Sequence, residues 1–159
     1  MTLDEVLARE GIRHTIASYT MAGDRLRVDD FVAVFTEDAI FEVDAVGEEA
    51  GVRNVGRQVI REWFLRWGRG AKDANPVHRA KFIRHHISTC LIEITGGDTA
   101  KARTYWTAYT DIGPDHGGYY IDEFRRSGDR WLIAHRKVRL DWSAPNSLYM
   151  SSLSNLRQR

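Results

Sequence analysis

Residues 82–142 read FIRHHISTCLIEITGGDTAKARTYWTAYTDIGPDHGGYYIDEFRRSGDRWLIAHRKVRLDW, and this stretch decides the fold. Four runs rich in β-branched and aromatic residues, Phe82–Thr95, Ala100–Ile112, Gly118–Arg126 and Trp131–Trp142, have the content of long strands. They are divided by Gly96-Gly97-Asp98, by Gly113-Pro114-Asp115-His116-Gly117 and by Ser127-Gly128-Asp129. Gly, Pro and Asp supply the backbone angles of tight turns, so strands joined this way form an antiparallel meander.

Toward the N-terminus the period changes from two to between three and four. Val6, Leu7, Ile12, Ile16 and Tyr19 recur at helical spacing, with Thr2 and Glu5 placed as a capping box and Gly23 marking the end. Asp29 and Asp30 suit the start of a second helix through Phe31, Val34 and Phe35. Ile40–Asp44 reads as a strand, followed by a Gly/Glu-rich loop. Val59, Ile60, Trp63, Phe64 and Trp67 form the wide apolar stripe of a third helix, from about Arg57 to Trp67, that packs on a sheet. Helices gathered early and strands gathered late predict an α+β fold with the helices on one face. A strongly curved antiparallel sheet closed by such helices makes a cone lined by alternate strand residues, the place for a small ligand.

The chain is 159 residues long, enough for one core, and no linker, repeat or low-complexity tract divides it. We read residues 1–142 as a single domain and 143–159 as a tail that wraps the sheet or closes the pocket mouth. Lys+Arg 23 against Asp+Glu 22 leaves a net charge of +1, which excludes a strong field for nucleic acid or an acidic membrane. The single cysteine, Cys90, forms no internal disulfide, and no N-terminal stretch reads as a signal peptide or membrane span, which points to a cytoplasmic setting.

Several local stretches occur in an order that resembles the nuclear-transport-factor-2-like superfamily, in its SnoaL-like and scytalone-dehydratase-like branch. They are Tyr19 followed by Asp24, Phe35-Thr36-Glu37-Asp38-Ala39, Arg84-His85-His86-Ile87-Ser88, Gly97-Asp98-Thr99-Ala100, Tyr120-Ile121-Asp122 and Gly128-Asp129-Arg130-Trp131. The resemblance covers the chain to about Trp142. It implies that Asp24 and His85 point into the cone, where the carboxylate hydrogen-bonds the imidazole, with Tyr19 nearby. Such a pair is a general base: the carboxylate fixes the tautomer and leaves the second ring nitrogen to move a proton. A phenol in an apolar pocket stabilises the oxyanion that develops. Scytalone dehydratase carries a second histidine and a Ser/Asn pair on the next strands. Thr110, Gly118 and Tyr120 stand there by strand alignment, which argues against that particular substrate.

Each residue also has a plain structural role open to it. Tyr19 lies on an apolar stripe, Asp24 suits a cap for the second helix, and Asp122 is either a pocket group or a partner of Arg136. His85 and His86, being adjacent on a strand, face opposite sides, so they do not share a metal, and no metal or cofactor is called for. His86 falls on the outer surface, and His135-Arg136-Lys137 reads as a solvated or subunit-contact segment. His14, His78 and His116 sit in helical or loop contexts without a nameable partner. Phe41, Trp63, Phe64, Trp67, Trp106 and Tyr120 are the aromatic lining expected around a flat hydrophobic substrate. Tyr105, Tyr109 and Ile121 on exposed strands lead us to expect a homodimer or homotrimer.

Two functional readings follow. The first is a lyase or isomerase of the dehydratase type acting on a polyketide, steroid or aromatic carbonyl compound, with cyclisation and epoxide opening as other uses of the same pocket. The second is a non-catalytic ligand-binding or scaffold subunit, such as the small subunit of a ring-hydroxylating dioxygenase.

Overall fold

The computed structural model describes residues 1–44, 51–73 and 80–149. Helix α1 (Leu3–Asp24) begins with the Thr2/Glu5 capping box, and α2 (Val28–Val32) follows after a tight turn. Strands β1 (Phe35–Val43) and β2 (Val52–Val55) precede α3 (Arg57–Asp73), and the chain then runs through β3 (Arg84–Gly96), β4 (Thr99–Thr110), β5 (Gly113–Ser127) and β6 (Arg130–Ser143). The expected third helix, the four long strands and the two short Gly-Asp turns are all present. His78 and the tail beyond Tyr149 lie outside the described residues.

The six strands are ordered β2-β1-β6-β5-β4-β3. The last four form the expected meander, but β1 runs parallel to β6, so the sheet is mixed rather than wholly antiparallel. Parallel neighbours need a long crossover, and here it is most of the chain, which local periodicity does not reveal. Register shifts interrupt β1/β6, β3/β4, β4/β5 and β5/β6, and such bulges bend a sheet toward one face. The helices fill that face. Ile12, Ile16, Phe31, Phe35, Phe41, Ile60, Phe124 and Ile133 are each 2 % exposed or less and form the centre of the core.

Three other expectations are corrected. Phe35 opens β1 rather than closing α2, which ends at Val32, so the strand read at Ile40–Asp44 starts five residues earlier. Val6 and Leu7, counted on the apolar stripe of α1, are 43 % and 61 % exposed because the buried face runs through Ala8, Ile12, Thr15, Ile16 and Tyr19 and both lie off it. The segment Gly113–Gly117 is not a turn: the chain reverses before it, and β5 begins at Gly113. Pro114 is tolerated because pairing with β6 starts only at His116, opposite Ser143.

Candidate active site

A cavity of about 300 Å³ lies between the helices and the concave face of the sheet. Tyr19, Phe41, Trp63, Phe64, Trp67, His85, Trp106 and Tyr120 all line it, together with Val138, Leu140, His116 and Tyr149. The rings support one another: Trp106 stacks on Tyr120 at 5.6 Å, Phe41 meets Trp63 at 4.8 Å, and Tyr19 meets Tyr120 edge-on at 5.7 Å. Such walls suit a flat apolar ligand.

Asp24 is the last residue of α1. The chain reverses just after it, with Leu26 held at φ 55 while Leu26 and Arg27 donate their N–H groups to the carbonyls of Gly23 and Ala22. A left-handed residue is the usual way to end a helix, though glycine normally occupies it. The N-cap of α2 is Arg27, with no side-chain bond, so Asp24 does not serve as that helix's cap. Its carboxylate instead turns to β3, the edge strand. Oδ1 lies 2.6 Å from His85 Nδ1, and Oδ2 accepts the His85 backbone N–H at 3.0 Å. An edge N–H without a strand partner thus helps to lock the pair.

Asp24 is nearly buried, its side chain 7 % exposed, while the His85 ring is 22 % exposed and forms part of the cavity wall. With Nδ1 turned to the carboxylate, neutral His85 carries its proton there and leaves Nε2 as a lone pair. No described residue bonds Nε2. His86 points the other way, exposed, against the Tyr109 ring. Burial pushes the Tyr19 phenol up to about 12, against the opposing charge of Arg136, so it remains a hydrogen-bond donor at neutral pH.

Of two further polar constellations, the sequence offered the first, Asp122 with Arg136, only as an alternative and missed the second. Arg136, read as part of a surface segment, is fully buried, and its Nε and Nη2 donate to the Asp122 carboxylate at 2.7 Å each. Burial works against the guanidinium charge, but Asp122 outweighs it and raises the Arg136 pKa. The guanidinium carbon lies 4.1 Å from the ring centres of both Tyr19 and Tyr120, so a fixed cation backs the two phenols. The clue was strand parity, since Arg136 faces inward with its neighbours outward, opposite Asp122 in the register.

The second is His116, expected in a loop without a partner. It is 2 % exposed on β5, and its Nδ1 lies 2.8 Å from Asp115 Oδ1. Asp115 is fully buried and also accepts from Thr110 Oγ1, Ser147 Oγ and the Leu148 N–H. These bonds, led by that of Ser147, outweigh the effect of burial and hold the Asp115 pKa down. Turn-forming residue types around His116 concealed its position on a strand.

No relative was found among the curated proteins. The SnoaL-like domain family model matches residues 4–137, and the chain belongs to that family. Several solved structures share the fold. A protein from Novosphingobium aromaticivorans provisionally assigned as a scytalone dehydratase is 19 % identical, with a TM-score of 0.70, over 91 % of this chain and 91 % of that one. Hexachlorocyclohexane dehydrochlorinase LinA-type3 from Novosphingobium barchaimii is 15 % identical, also at 0.70, over 90 % and 92 % of the two chains. A second N. aromaticivorans protein, provisionally assigned as the β subunit of an aromatic-ring-hydroxylating dioxygenase, is 20 % identical at 0.69, over 88 % and 93 %. These likenesses establish the α+β architecture of helices on a curved mixed sheet. No helix among the described residues is long and apolar enough to cross a membrane.

Proposed function

We propose that the cavity is the active site of a cofactor-independent lyase or isomerase acting on a small hydrophobic carbonyl compound, such as a polyketide, steroid or aromatic molecule. One observation carries this reading: the 2.6 Å contact between Asp24 and the His85 ring at the wall of an aromatic chamber. His85 Nε2 takes a proton from the carbon beside the carbonyl, and Asp24 stabilises the imidazolium. The electron pair left by the C–H bond forms an enolate, to which the Tyr19 phenol donates a hydrogen bond. The enolate then expels a β-hydroxyl, which leaves as water with the proton from His85, or it is reprotonated at a more distant carbon, which shifts the double bond. The named eliminations of the dehydratase and the dehydrochlorinase that share the fold are in keeping with such a proton abstraction.

The test is a screen of carbonyl-bearing aromatic, polyketide and steroid compounds for thermal stabilisation, followed by turnover assays on every hit with wild type and His85→Ala. Turnover lost in His85→Ala with the fold intact is the expected result. Hits that are turned over equally by the variant overturn the mechanism. A second reading, as a scaffold or ligand-binding subunit, is favoured by the outer sheet face, where Leu91 is 73 % and Tyr105 49 % exposed. That face suits pairing into a homodimer or homotrimer, and hits that bind without any turnover would support the scaffold role.

A further inference from the structure

The cavity wall carries a second imidazole held by its own carboxylate. His116 stands 6.2 Å from His85, ring centre to ring centre and nearly perpendicular to it, with Trp106 packed against both at 5.4 and 5.6 Å. Tyr149 stacks on the His116 ring at 4.1 Å. The ring is therefore held by a stacked neighbour as well as at Nδ1.

Asp115 determines which proton His116 carries. Its carboxylate receives hydroxyl protons from Thr110 and Ser147 and the N–H of Leu148, all donors, so it is an ionised acceptor and the His116 Nδ1 must donate to it. Burial holds the His116 pKa below its ordinary value, and the nearby His85 acts in the same direction against the pull of Asp115. In the neutral ring, Nε2 is then a bare lone pair, and no described residue bonds it. His116 is part of the cavity lining, where a bound ligand can supply the donor that this acceptor lacks.

We propose that His116 Nε2 is the recognition point for a hydroxyl group on the ligand, so that the cavity selects hydroxylated ring compounds, phenols or enols, over their deoxy or O-alkylated counterparts. His85 and His116 divide the labour: His85 faces the carbon that loses its proton, and His116 receives the O–H that sets the ring's orientation. The assignment rests on the cavity being the ligand site, as in the proposed function, but not on its being catalytic.

The test uses 2-naphthol and 2-methoxynaphthalene, matched ring compounds with and without the donor. Binding is followed by quenching of Trp63, Trp67 and Trp106 fluorescence and by long-range 1H–15N correlation of the histidine rings at pH 7.5. We expect 2-naphthol to bind at least about tenfold more tightly, the equivalent of one well-placed hydrogen bond, and to shift the His116 Nε2 resonance, which 2-methoxynaphthalene leaves in place. In His116→Phe, which keeps a stacked ring but no acceptor, that preference should vanish, with 2-methoxynaphthalene bound as before. Equal binding of the two by wild type, or an unshifted His116 Nε2 with 2-naphthol bound, overturns the assignment while leaving the His85 mechanism standing. Failure of both compounds to bind overturns the assignment and the ligand-pocket reading together. The resonance measurement is made on wild type, so it stands even where His116→Phe does not fold.

Discussion

Asp122 and Arg136 face each other across β5 and β6 through two 2.7 Å hydrogen bonds, and neither side chain reaches solvent. Arg136 Nη1 has no hydrogen-bond partner among the described residues, so the guanidinium depends on this carboxylate and on the two tyrosine rings. Removing one member strands a buried charge. Asp122→Ala is expected to destabilise the protein by about 3–5 kcal/mol, measured by urea unfolding. The double change Asp122→Leu with Arg136→Met should cost less than Asp122→Ala, because no charge is left unpaired. A small effect from the single change would show that the pair is not a structural keystone.

In the proposed reaction Asp24 acts through the His85 ring that it holds. Asp24→Asn keeps the shape but replaces the carboxylate that fixes the ring and supports its positive charge. For any substrate found, kcat is expected to fall about 10²- to 10⁴-fold with KM nearly unchanged. A rise in KM at constant kcat would instead make Asp24 a contributor to binding only.

Acid should weaken the fold through His116. Its pKa in the folded protein lies below the ordinary 6.5, so the unfolded chain binds a proton there that the folded chain resists. Stability is therefore complete above about pH 6.5 and declines as pH falls toward the lowered folded value, by at most about 1.4 kcal/mol per pH unit. Asp115 works in a lower window: its contribution is complete above the ordinary carboxylate pKa and is lost as the pH falls from there toward its lower folded value. Urea unfolding of wild type and His116→Phe between pH 5 and 7.5 should show a shallower slope for the variant. Parallel slopes would remove His116 as the cause.

Gly118 sits at the register shift where β5 pairs with β6. A Cβ placed there would lie 1.9 Å from the Arg139 carbonyl oxygen, a backbone atom that cannot swing away. Gly118→Ala is expected to destabilise by about 3 kcal/mol, at the upper end of ordinary overpacking. An unperturbed thermal midpoint would mean that the strands separate there more easily than their pairing suggests.

Much of the fold was legible because its signals are local. The stripe of α3 repeats every three or four residues, and Gly96-Gly97-Asp98 and Ser127-Gly128-Asp129 lie at hairpin ends. What stayed hidden depends on register between distant residues. The parallel match of β1 with β6 leaves no periodic mark, and β2 is too short at four residues to show alternation. Arg136 sits in a basic triplet that looks solvated until the pleat places its middle member opposite Asp122. In the site, Asp24 and His85 were located through a resemblance, and the structure brings them into contact. His116 was passed over because Pro114 and the two glycines flanking it, Gly113 and Gly117, read as a turn.

The pairing of Phe35 with Ile133 has a consequence for synthesis. β1 finds its parallel neighbour only once β6 has been made, so the wall carrying Phe41 stays unfinished while α3 and β3 to β5 emerge. Until then β1 offers an open, apolar edge to other nascent chains, and a chain stalled before β6 is the species a chaperone would meet.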